Sequence, residues 1–137
     1  MIVTHDFCIE TFGRGFTEIT QAVDSVISDS DLTVGLCSVF VHHTSASLLI
    51  CENADPAVLT DLESYMQGLV VDGDPNFRHV AEGPDDMAAH IRSVLTQSEI
   101  SVPIRAGQLA TGTWQGIYLW EHRTRPHRRR ISLTLYG

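Results

Sequence analysis

The chain has 137 residues, a formal net charge of −8 and nine basic residues, every one an arginine. The absence of lysine excludes a P-loop lysine, a pyridoxal-phosphate Schiff base and a lysine general base. With 43% hydrophobic and 19% charged residues, the composition suits one globular domain that buries a core without disulfides.

The acidic balance argues against a nucleic-acid partner, because duplex affinity rests on cationic side chains. Five arginines do cluster, at Arg123, Arg125, Arg128, Arg129 and Arg130, and they read as a solvated turn between strands in preference to a phosphate-binding patch. Cys8, Cys37 and Cys51 are odd in number and lack C-x-x-C spacing, so no disulfide framework is indicated. Cys37 and Cys51 lie in apolar runs and read as buried small hydrophobes. Neither a signal-peptide pattern nor an apolar run of spanning length occurs, so a cytoplasmic protein without membrane contact is expected.

In chain order, Phe7 to Thr11 reads as a short strand ending at the Gly13-Arg14-Gly15 turn. Thr17 is the expected N-cap of a helix to about Ser28, with Ile19, Ala22, Val23, Val26 and Ile27 on one stripe. Leu32 to Val41 is nearly all apolar and predicts a strand buried on both faces. Ser47 to Cys51 predicts another strand. Asp55-Pro56 then marks a helix start, with a broad apolar face through Val58, Leu62, Tyr65 and Leu69.

Val71 to Gly83 reads as a long loop, of a length that in small domains is often functional. A third helix opens at Pro84 or Asp85, with Met87, Ile91, Val94 and Leu95 expected to face inward. Ile100, Val102 and Ile104 alternate with polar residues as a strand, and Pro103 suggests an edge. Two more alternating strands, Gly116 to His122 and Arg129 to Tyr136, flank the arginine-rich turn. Successive strands without intervening helices favour antiparallel pairing. The expected fold is α+β: an antiparallel β-sandwich with about three helices in a single domain.

Seven histidines are many for this length. Asp86 and His90 lie four residues apart on the third helix, one turn from each other. Such a pair orients a metal-ligating imidazole or a general base, or is a surface pair of little consequence. By helical angle Asp86 lies further toward solvent than His90. His79 lies in the long loop and His43 follows the most apolar strand; with His90 they are candidates for an open tri-histidine metal site. Spacing alone does not bring the three together. Glu121 shares a strand face with Ile117 and Leu119. It therefore either meets a cation, lies beside a cleft, or is turned outward by a bulge. Trp114 and Gln115, in a glycine-rich segment, suit close approach to a ligand or a tight turn that caps the core. Glu52 and Asn53 suit either an anion site or a helix cap.

Taken together, His43-Thr44-Ser45-Ala46-Ser47-Leu48, Glu52-Asn53-Ala54-Asp55-Pro56, Arg78-His79, Gly83-Pro84-Asp85-Asp86-Met87 with His90, and Gly112-Thr113-Trp114-Gln115-Gly116-Ile117 resemble the YjbQ family. Its members are often labelled secondary thiamine-phosphate synthases. The resemblance covers nearly the whole chain. It implies a jelly-roll-like sandwich, a homotrimer and a cleft near subunit boundaries. It further implies a divalent metal, zinc foremost, on His43, His79 and His90, with magnesium the alternative for the transferase chemistry. Asp86, Glu52, Asn53, Trp114, Gln115 and Glu121 fall on its other polar or cleft-lining positions. On this reading Glu121 or Asp86 is expected to handle protons or orient a ligand, and Glu52, Asn53, Trp114 and Gln115 to lie on the substrate side. Arg78, Arg105, the arginine turn or a metal is expected to supply charge for a phosphate. The implied function is an enzyme acting on a small phosphorylated or heteroaromatic substrate; the alternative is a non-catalytic metal- or metabolite-binding module. Three histidines suit a transition metal better than the magnesium that pyrophosphate departure usually employs.

Overall fold

A computed structural model describes residues 1–137. In chain order its elements are β1 (Ile2–Glu10), β2 (Gly15–Glu18), α1 (Thr20–Asp29), β3 (Val34–Val41), β4 (Ala46–Glu52), α2 (Pro56–Leu69), α3 (Asp86–Leu95), β5 (Glu99–Arg105), β6 (Gln108–Leu109), β7 (Gln115–Glu121) and β8 (Arg128–Tyr136). Five strands form one sheet in the order β1-β8-β3-β5-β6, and three form a second in the order β2-β7-β4. Every strand pair is antiparallel. The molecule is thus an α+β arrangement of three helices and two antiparallel sheets.

The two sheets and α1 share one apolar core. Val39, Val102 and Leu133 come from the larger sheet, Leu48 and Leu119 from the smaller, and Val23 and Ile27 from α1. Alternation along β5 and β8 sends one set of side chains into this core and the other outward. Cys37 lies within it, and burial pushes its thiol up to about 12, leaving it an unreactive small hydrophobe. Cys51, expected to be buried, is only half-buried.

Several elements differ from their sequence expectation for identifiable reasons. The stretch expected to start the first helix is instead β2, which pairs with β7 through Gly15↔Glu121 to Glu18↔Tyr118. Helix α1 therefore starts three residues after Thr17, capped at Ile19 without a side-chain bond. Strand β3 is apolar on both faces but covered on one, so Val34, Leu36 and Phe40 are exposed. On α3 the expected stripe is reversed: Ala88, Ala89, Arg92 and Asp86 are buried, while Val94 and Leu95 are exposed. Short alanines let the helix approach the sheet closely, and Arg92 is held by Glu63 of α2 at 3.1 and 3.0 Å.

Helix α2 begins as read from Asp55-Pro56. Asp55 accepts from the Ala57 N–H at 2.9 Å, a cap that contributes about 1 kcal/mol. Its broad apolar face is only half covered, for no residue of α2 is fully buried. The arginine-rich segment is not a uniformly solvated turn: Arg125, Arg128 and Arg130 are exposed, but Arg123 and Arg129 are buried in ion pairs. No helix is long and apolar enough to cross a membrane.

Candidate functional site

The loop between α2 and α3 carries His79 to the start of α3. Its ends are tied by the Gly73 N–H donating to the Pro84 carbonyl at 2.9 Å, which closes it as a compact loop of the Ω kind. Gly83 takes φ +103°, a conformation glycine adopts without strain, and so turns the chain into Asp85 and Asp86. Arg123, just beyond β7, then fastens this corner. Its Nε donates to Asp85 Oδ2 at 2.9 Å, its Nη2 to the Glu82 carbonyl at 2.9 Å, and its Nη1 pairs with Asp86 Oδ1 at 2.9 Å. The Thr124 N–H adds a further bond to Asp85 Oδ2 at 2.9 Å.

Asp86 is buried rather than turned to solvent, contrary to the helical-angle expectation. Its Oδ2 faces His79 Nε2 at 2.6 Å and His90 Nε2 at 3.2 Å. The imidazoles stand edge to face with ring centres 5.3 Å apart. One ligand atom from each of His79, Asp86 and His90 lies within 4.8 Å of the others. Burial opposes ionisation of Asp86, but His79, Arg123 and His90 outweigh it and hold its carboxyl below the usual range. Asp85 is likewise lowered, its burial outweighed by Arg123 and the Thr124 N–H.

The donor set suits a metal. Two imidazole nitrogens and one carboxylate leave open positions of the sort found in catalytic zinc and non-haem iron sites. Ligand bonds of about 2.0–2.2 Å place tetrahedral neighbours about 3.3 Å apart; the 3.2 Å between His90 and Asp86 matches this, whereas the 2.6 Å hydrogen bond between His79 and Asp86 would have to open as an ion enters. A second oxygen ligand is missing, because Asp85 Oδ2 is taken by Arg123 and Thr124. That disfavours magnesium, which prefers several oxygens.

His43 stands apart from this cluster. Its Nε2 accepts the Arg130 N–H at 2.8 Å, so that nitrogen carries no proton and is not free for a metal; in the neutral ring the proton is on Nδ1. Burial, followed by the charge of Arg129, lowers the pKa of His43 and favours this neutral form. His43 and His90 nevertheless line one cleft of about 410 Å³.

Glu121 resolves in favour of a buried ion pair. It is 1% exposed, and its carboxylate receives Arg129 Nε at 2.8 Å, Arg129 Nη2, Thr11 Oγ1 at 2.7 Å and the Arg123 N–H at 3.1 Å. Burial opposes its charge, yet Arg129, Thr11 and Arg123 together lower its pKa. With every lone pair engaged, Glu121 holds the sheet end together and is not placed to exchange a proton.

Four of the five substrate-side residues lie elsewhere. Ala46↔Glu121 and Glu52↔Gln115 are the two ends of the β4–β7 ladder, about 20 Å apart at ~3.3 Å per residue. The histidines cluster at the first end, where Ser93 of α3 reaches the Ala46 carbonyl at 3.5 Å. At the second end Glu52 accepts the Asp55 N–H at 2.7 Å, and Gln115 accepts the Gly112 N–H at 2.7 Å. The Asn53 N–H donates to the Trp114 carbonyl at 3.0 Å, and the indole of Trp114 is exposed. Arg78 is exposed and makes no hydrogen bond within the chain. Within one chain Glu52, Asn53, Trp114 and Gln115 do not join the histidine cluster, whereas Arg78 directly precedes His79 in its loop.

Sequence reasoning missed Arg123, which organises the site, and Arg129. In the sequence both fall within the arginine-rich segment that reads as a solvated turn. Their only sequence signal is position, directly after β7 and at the start of β8, beside the acids of α3 and Glu121.

A sequence model described as UPF0047 protein YjbQ-like matches residues 5–137. A UPF0047 protein of Synechocystis is 49% identical over 94% of this chain and 88% of its own length. The UPF0047 protein YjbQ of Escherichia coli is 41% identical over 90% of each. Among solved structures, an uncharacterised YjbQ/UPF0047 protein from Clostridium acetobutylicum superposes with a TM-score of 0.88 at 31% identity, covering 96% of this chain and 99% of that one. A conserved hypothetical protein from Thermus thermophilus gives a TM-score of 0.86 at 32% identity, covering 96% and 99%. A match over nearly the whole length, in sequence and in fold, makes this chain a member of the YjbQ-like UPF0047 family.

Proposed function

We propose that this chain is a metal-binding protein whose centre is His79, Asp86 and His90, serving an enzyme that acts on a small phosphorylated or heteroaromatic substrate. The observation that carries this reading is the convergence of two imidazoles on one buried carboxylate that Arg123 fixes from its other oxygen. Zinc is the proposed occupant, supported by the nitrogen-rich donor set. When bound, such an ion polarises a substrate oxygen or acidifies a water. Asp86 would supply the oxygen ligand beside the two imidazole nitrogens, its other oxygen held by Arg123, and His43 lines the adjoining cleft as a hydrogen-bond donor. Thiamine-phosphate synthase-type transfer is the candidate activity drawn from the family resemblance.

We place the protein in the cytoplasm as a homotrimer, with neither nucleic acid nor membrane as partner, and retain a jelly-roll-like sandwich as its finer architecture, supported by the core shared between the sheets. The trimer gives Trp114, Gln115, Glu52 and Asn53 a purpose: an exposed indole about 20 Å from the same chain's histidines suits the boundary with a neighbouring copy.

A non-catalytic metal- or metabolite-binding module is the second reading, and one observation favours it. Glu121, the expected proton carrier, is spent on Arg129, Thr11 and Arg123. Metal analysis of untagged protein tests the centre itself. About one zinc per chain, lost in His79→Ala, is expected; under a tenth of an equivalent with no uptake on titration contradicts it. Rescue of a thiamine auxotroph by wild type but not by His79→Ala distinguishes enzyme from binder.

A further inference from the structure

A second cleft of about 560 Å³ adjoins the one beside His90, and the two share His43, Thr44 and Ser98. No carboxylate lines either of them, in a chain whose formal charge is −8. Its floor is Arg129, which is 3% exposed. Glu121 and Ser45 engage Arg129 through Nε and Nη2. The remaining Nη1 has no partner in the chain, yet only Arg92 Nε and His122 Nδ1 are both buried and unpartnered. Arg129 Nη1 is therefore open to solvent, and the cleft is the space Arg129 lines.

The other groups also offer protons. His43 accepts through Nε2 and so presents an N–H at Nδ1. The hydroxyls of Thr44 and Ser98 make no hydrogen bond within the chain and are exposed at the rim. Because Glu121 cancels the charge of Arg129, attraction depends on directed donors more than on net charge, in the manner of a preorganised oxyanion site.

We propose that Arg129 Nη1, His43 Nδ1–H, Thr44 and Ser98 form a subsite for the oxyanion of a phosphate monoester, next to the His79–Asp86–His90 cluster. A substrate held here by its phosphate extends past His43 toward His90, through the cleft the two histidines share. The subsite rests on the proposed metal centre for its purpose, but not for its binding.

The test is calorimetric titration of the untagged full chain with inorganic phosphate, both zinc-loaded and chelator-treated. Saturable binding is expected in both, weakened at least about tenfold in Ser98→Asp by the like charge placed in the cleft. Thr44→Asp should do the same, and both positions are exposed, so folding is preserved. Arg129→Lys, which keeps the charge but loses the fork, should also weaken binding. Absence of saturable binding, equal binding by Ser98→Asp and Thr44→Asp, or binding only with zinc present would each overturn the subsite. Failure to take up zinc with phosphate binding intact would instead overturn the metal centre alone.

Discussion

Arg123 grips Asp86 by the oxygen that the histidines leave free: its Nη1 lies 2.9 Å from Oδ1, while Oδ2 receives both imidazoles. The same guanidinium binds Asp85 and the Glu82 carbonyl, so one side chain fixes the loop end, the helix start and the ligand carboxylate. Replacing it as Arg123→Gln should lower zinc affinity about 10–100-fold, as loss of a ligand's supporting partner does. Two buried acids would also lose their counter-charge, at a cost of about 3–5 kcal/mol. Competition with a chromogenic chelator and urea unfolding measure the two effects separately.

Arg92 and Glu63 make a similar test away from the histidines. Arg92 is fully buried, and Glu63 accepts both of its terminal nitrogens together with the Trp120 indole N–H at 3.0 Å. Glu63→Gln keeps a hydrogen-bond acceptor but strands the guanidinium charge, so stability should fall by about 3 kcal/mol. Little change in the urea midpoint would mean that water reaches Arg92.

Acid should destabilise the protein through His122. Burial, with the charges of Arg92, Arg14 and Arg129, pushes its pKa down to about 3 from an ordinary 6.5. The unfolded chain therefore takes up the proton first. Stability from this group is full above pH 6.5 and declines as pH falls toward 3. Between pH 7 and pH 5 the loss is about 2 kcal/mol, and His122→Gln should show a shallower decline over the same window. Below pH 4.5 Glu121, whose pKa is lowered, adds its own loss.

Trp114 tests the subunit boundary. If its exposed indole meets a neighbouring copy, Trp114→Ser should shift sedimentation from trimer toward monomer while circular dichroism stays unchanged. A wild-type chain that sediments as a monomer contradicts the trimer, and an unchanged trimer in the variant removes Trp114 from the interface.

Local signals in the sequence located most elements. Asp55-Pro56 marks α2, two-residue alternation marks β5 and β8, and the four-residue step from Asp86 to His90 marks a genuine contact. What was not legible depends on partners distant in sequence. Asp86 looks solvent-facing by helical angle, but His79 from the loop and Arg123, brought up by β7, offset the cost of its burial. Val94 and Leu95 look like core residues, but Ala88 and Ala89 pack better where α3 meets the sheet. His43 looks equivalent to His79 and His90 until the Arg130 N–H claims its Nε2. For Glu121 the choice between cation, cleft and bulge was decided by Arg129 across the hairpin.

Whether His79, Asp86 and His90 hold a metal can be read from zinc-edge X-ray absorption of the loaded, untagged protein. Two imidazoles with the remaining ligands oxygen, at about 2.0–2.2 Å, is the predicted shell. A sulfur ligand, a third imidazole, or fewer than two would contradict it.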